Sequence, residues 1–99
     1  MNYREEALQR TEKEILAEKA ATLGRAGERL EEALRLATAL HDAFRDAPDE
    51  SAREQARERY RQARTRAIEA RRILIIQREA IGLRNHRLVD QQFPEPPRV

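Results

Sequence analysis

Leu16, Leu23, Leu30, Ala37 and Phe44 recur at every seventh position, and Ala20, Gly27, Leu34 and His41 lie four positions after each of the first four. Spacings of three and four put all nine on one face of a helix, with charged residues turned outward between them. No proline interrupts the pattern from about Tyr3 to Arg45. It predicts one helix of roughly 43 residues, about 65 Å long at 1.5 Å per residue.

The pattern breaks at "RDAPDESARE", where Pro48 cannot continue a helix. Ser51, followed three residues on by Glu54, reads as a capping box that satisfies orphan amides at a new helix start between Asp49 and Ser51. The stripe of this second helix is Ala56, Tyr60, Ala63, Ala67, Ala70, Leu74, Gln77 and Ile81. So short a connection makes the two helices antiparallel neighbours. Folding the chain at Pro48 sets Leu16 against Ile81, Leu23 against Leu74, Gly27 against Ala70, Leu30 against Ala67, Leu34 against Ala63 and Ala37 against Tyr60. Large faces small nearly throughout, and the expected closest approach of the two axes is at Gly27 and Ala70.

Gly82 fits the left-handed position that ends the second helix near residue 81, with Leu83 as the apolar residue after it. Asn85 reads as a fresh N-cap for a short helix over 86–92 that would carry Leu88 and Val89 inward. The last seven residues, "FPEPPRV", contain Pro94, Pro96 and Pro97 and are expected to be extended. The organisation is therefore one helical-hairpin domain over 1–92 with a Pro-rich tail over 93–99.

The run Ile73–Ile76 changes the picture from hairpin to assembly. With Leu74 and Ile81 facing the first helix, the 100° step per residue puts Ile73, Ile76, Ala80 and Leu83 on roughly the opposite side. One neighbouring helix cannot cover both faces, and a contiguous exposed apolar patch on a small protein marks an interface. The simplest partner is a second copy related by a two-fold axis. The expected fold is all-α: an antiparallel two-helix hairpin plus a short C-terminal helix, assembling as a homodimeric four-helix bundle with coiled-coil-like packing.

Only 39% of the 99 residues are hydrophobic, whereas 38% are charged, which suits long exposed helices. The start, "MNYREEALQR", lacks the apolar core of a signal peptide, and no run approaches the roughly 18 apolar residues of a membrane span. The expectation is a cytoplasmic protein without membrane association. Residues 1–50 hold eight basic and twelve acidic side chains, a net of −4, while 51–90 hold eleven arginines and five acids, a net of +6. Arg57, Arg64 and Arg71 repeat every seven residues. They could form a phosphate-binding face, since arginine forks suit phosphates. The competing expectation is that Glu14, Glu18, Glu28, Glu31 and Glu32 of the first helix neutralise them across the seam.

Candidate chemistry is sparse. Cysteine is absent, so there is no thiolate nucleophile or Cys-based metal site. His41 and His86 fall near opposite ends of the hairpin, and neither sits in a Glu-x-x-His arrangement, because residue 38 is Thr and residue 83 is Leu. The lone Ser51 is accounted for as a cap. The residues point to no catalytic site, cofactor or metal.

The stretches "EKAATLGRAGERLEEAL" and "QREAIGLRNHRLV" resemble a family of short uncharacterised bacterial proteins that run helix, turn, helix, then a short element leading to a Pro-containing end. The resemblance covers most of the chain. It implies a bacterial domain of unknown function, with no site residues to carry over. The Arg-rich middle of the second helix is not explained by it. The functional expectation is a homo-oligomeric protein-interaction module, with an unknown protein as further partner. The alternative is a nucleic-acid-associated protein using the Arg57–Arg64–Arg71 face.

Overall fold

Three helices account for most of the chain in the computed structural model, which describes residues 2–99. They are α1 (Tyr3–Arg45), α2 (Glu50–Ala80) and α3 (Arg87–Gln92), and there is no strand among the described residues. The molecule is a rod of 73 × 20 × 15 Å. At α1's start the Asn2 Oδ1 accepts from the Glu5 amide at 2.9 Å, and Glu5 and Glu6 in the first turn complement the positive end of the helix dipole.

The four residues between α1 and α2 reverse the chain, and the cap of α2 differs from the expected one. Asp49, in extended geometry, accepts from the Ala52 amide through Oδ1 at 2.8 Å. Ser51 already lies inside the helix, so it is not the cap, and Glu54 turns to Arg57 instead of reaching back. Asp is as good an N-cap as Ser, and Pro48 fixes the backbone just before it. At the other end the chain closes as a Schellman motif. Gly82 has φ +88°, its amide donates to the Glu79 carbonyl at 3.0 Å, and the Leu83 amide donates to the Arg78 carbonyl at 2.9 Å.

The seam of α2 follows the expected stripe: Tyr60, Ala63, Ala67 and Leu74 are buried, and Ala56, Ala70 and Gln77 half-buried. On α1 the seam runs along Ala26, Leu30 and Ala37. Ala26 is buried where Gly27 was expected, and a Cβ built on Gly27 would meet no atom within 4 Å. Gly27 and Ala70 therefore do not mark the closest approach. The expected pair Leu16–Ile81 also fails, because Leu16 is 66% exposed and Ile15 lies near Ile81 in its place. The spacing Ile15–Ala26–Ala37 is eleven residues, close to the natural 3.6-residue period, so the hairpin follows straight-helix geometry and drifts off a strict heptad.

The core has two parts. Ala26, Leu30, Leu74 and Val89 form one cluster, with Leu23, Leu34, Ala70, Ile75 and Phe93 packed around it, and Ala37, Tyr60 and Ala63 form the other with Leu40. Val89 and Phe93 make the C-terminal segment a third element on the hairpin. Asn85 contributes to its start by accepting from the Arg87 amide at 3.0 Å, although His86 holds the cap position. Leu88, expected to point inward, is 62% exposed, since a helix of six residues has only one face to bury. No helix among the described residues is long and apolar enough to cross a membrane.

Candidate functional site

The seven-residue arginine ladder of α2 is met by the C-terminal segment. Arg71 pairs with Asp90 of α3, while Arg64, whose side chain is 18% exposed, donates from Nε to the Pro96 carbonyl at 2.9 Å and reaches Glu95 at 3.5 Å. Arg57 instead lies over the Phe44 ring, 5.3 Å from its centroid, with Glu54 of its own helix 4.0 Å away. Cation–π contact suits a guanidinium whose Nε is buried with no hydrogen-bond partner, as it is here. Among the described residues no ion pair joins α1 to α2. The glutamates expected to neutralise the ladder, Glu14, Glu18, Glu28, Glu31 and Glu32, are exposed on other faces of α1. Arg57, Arg64 and Arg71 are consequently not free together as a phosphate-binding face, because two of the three hold the chain's own C-terminal segment.

Beyond Phe93 the tail runs back over the hairpin toward the turn. The Tyr60 side chain, buried in the second core cluster, donates its hydroxyl to the Pro97 carbonyl. Burial pushes the Tyr60 phenol above its ordinary value, with the positive charge of Arg64 acting weakly in the opposite direction. The His41 ring meets Tyr60 edge to face at 5.1 Å. Between the helices and the tail lies a cleft of about 380 Å³, walled by Leu34, Ala37, Thr38, His41 and Tyr60 on one side and by Pro94–Pro97 on the other. The groove therefore grips the tail chiefly through main-chain carbonyls and leaves space beside it. Sequence reasoning placed Arg64 and Tyr60 on the right helix but did not find this groove. The available signal was Asp90 and Glu95, the only acids after Glu79, following a run of seven-spaced arginines.

A second feature occupies the far end of the rod. Ile73, Ile76, Ala80 and Leu83 are all exposed, Ile76 at 50%. Ile75, between them, packs into the core cluster that Val89 and Phe93 complete, so the C-terminal segment covers part of the isoleucine run and leaves the remainder open. Helix α1 has 43 residues against 31 in α2, an excess of about 18 Å at 1.5 Å per residue; this projecting part carries exposed Leu8, and exposed Ile15 and Leu16 follow where α1 meets the end of α2.

The two histidines lie apart. His41 packs among aromatic rings near the turn, and His86 sits 3.0 Å from Glu79 with Arg78 donating to its Nδ1 at 3.4 Å. Among the described residues no group of three or more His, Cys, Asp or Glu side chains is placed to hold a metal ion. No protein-family model, curated protein or solved structure matches the chain.

Proposed function

We propose that this chain is a cytoplasmic, homodimeric helical module that works by binding another protein and performs no catalysis. The observation that carries the reading is the apolar end of the rod. Ile73 and Ile76 on α2, Leu83 just after it, Leu8 on the projecting part of α1, and Ile15 and Leu16 where α1 meets the end of α2 are exposed together in the single chain. Side chains of this size gain about 1.5–3 kcal/mol each on full burial, and a second copy covering them would supply that gain against the cost of association. A two-fold dimer would lay the projecting α1 of each copy along the isoleucine-bearing end of α2 of the other.

Light scattering coupled to size exclusion tests the reading. The expected mass at micromolar concentration is about twice 11.6 kDa, falling to 11.6 kDa for Ile76→Glu with helicity retained. A wild-type chain that is monodisperse at 11.6 kDa refutes it.

A further inference from the structure

The tail's place in the α1–α2 groove has a chemistry of its own. Both main-chain contacts are made by α2 side chains donating to carbonyls, Arg64 to Pro96 and Tyr60 to Pro97. Such contacts do not depend on which side chains the tail carries. Its three prolines hold it extended, at little entropic cost on binding. The Tyr60 residue is only 1% exposed with the tail in place, so the tail's carbonyl stands where water would otherwise meet the hydroxyl. The groove's donors are therefore matched by an extended chain presenting carbonyls. Nothing in it needs that chain to be this one.

Three further observations separate an exchangeable ligand from a fixed part of the core. The tail itself is largely solvent-exposed, with Pro94, Glu95 and Pro97 all outside the core. No helix follows Phe93 among the described residues, so the tail can leave without disturbing one. The tail also leaves a cleft of about 380 Å³ against Thr38, His41 and Tyr60, more than enough for one additional apolar side chain. We propose that the groove between α1 and α2 is a binding site for a proline-rich extended peptide of another protein, and that the chain's own "PEPP" segment occupies it as a tethered competitor. An acidic residue in the ligand, at the position of Glu95, pairs with Arg64. The proposal rests on the reading of the chain as a protein-interaction module but not on its dimerisation, which uses the other end of the rod.

The experiment titrates a fluorescein-labelled peptide of residues 92–99 into the full-length chain, followed by anisotropy. Two forms are compared: wild type, and a form whose tail is released by Glu95→Lys, Pro96→Gly and Pro97→Gly, all outside the helices. A short tether holds the tail at an effective concentration of order millimolar, so the released form is expected to bind at least about tenfold more tightly than wild type. Adding Arg64→Gln to the released form should weaken binding by about tenfold or more, the loss of charge-assisted contacts. Thr38→Arg, at an exposed groove position, should do the same by filling the cleft without touching the core. Circular dichroism at 222 nm verifies that each form is folded. A folded released form that binds no more tightly than wild type overturns the proposal, and so does equal binding of a peptide whose three prolines are replaced by glycine. A wild-type dimer split by the tail substitutions but not by Ile76→Glu would show that the groove holds the tail of a second copy, which also overturns it. A wild-type monomer with a released form that binds the peptide supports the groove while refuting the dimer.

Discussion

Three glycines in this chain should respond to the same substitution with opposite signs. Gly24 and Gly27 lie in the interior of α1, and neither has positive φ. A Cβ added at either meets no atom within 4 Å, so alanine fits without displacing a neighbour. Glycine in a helix interior costs about 0.8–1 kcal/mol relative to alanine, because it gives up more backbone freedom on folding. The double variant Gly24→Ala/Gly27→Ala should therefore gain about 1.5–2 kcal/mol, nearly the sum, since two methyls facing open space share no partner. With an m-value of about 1–3 kcal/mol/M, the urea midpoint followed at 222 nm rises by roughly 1 M, and m itself stays unchanged. Gly82→Ala is the internal control. No atom crowds this position either, but its φ of +88° closes the Schellman motif, and an alanine there costs about 1–2 kcal/mol in backbone strain. Protein concentration must be fixed throughout, because dimerisation would couple stability to it. A midpoint that falls for the double variant refutes the reasoning, since it means that Gly24 and Gly27 face something the single chain does not contain.

Two further substitutions test particular contacts. Asp49→Ala should cost about 1 kcal/mol by removing the cap on the Ala52 amide, whereas Ser51→Ala, inside the first turn, should be close to neutral in urea titrations; equal losses would restore the capping box. Tyr60→Phe should cost about 0.5–1.5 kcal/mol at neutral pH through the lost bond to Pro97. Because burial holds the Tyr60 phenol above its ordinary value, its contribution is fully present below pH about 10 and is lost as pH rises through the raised folded value, the unfolded chain releasing its proton first. The difference in urea midpoint between wild type and Tyr60→Phe should therefore narrow between pH 9 and 11, and a difference constant over that range contradicts the burial account.

The helix ends were legible because each has a local cause. Pro48 stops α1, Gly82 stops α2, and Pro94 prevents α3 from continuing, so the punctuation lies in the residues themselves. The seam of α2 was equally readable, since alanines at 56, 63, 67 and 70 leave only one face on which Tyr60 and Leu74 can be buried. On α1 two apolar stripes run side by side, one through Ile15 and one through Leu16, Leu23 and Leu30. Periodicity alone favours the heptad, but a straight pair of helices advances by 3.6 residues per turn, and over the length of α1 that difference moves the contact line from Leu16 to Ile15 and from Gly27 to Ala26. Choosing between adjacent stripes requires the neighbour, which the sequence of one helix does not contain.

The arginine ladder illustrates a stricter limit. A spacing of seven tells which residues share a face of α2, and it was right that Arg57, Arg64 and Arg71 lie along one line. It says nothing about what lies opposite. Charge balance between the halves pointed to the glutamates of α1, yet a surface ion pair is worth only about 0–1 kcal/mol and cannot set the rotation of one helix against another. Burial sets it. Once Ala26, Leu30, Ala37, Tyr60, Ala63, Ala67 and Leu74 are enclosed, the glutamates of α1 turn to solvent and the arginines flank the groove beside the seam. The tail then comes to that groove because Val89 and Phe93 complete the core cluster around Leu74 and deliver the next four residues along it. Hydrophobic anchoring thus decides which segment the arginines meet, and electrostatics decides how firmly it is held, so substituting Glu95 should loosen the tail while leaving the two core clusters intact.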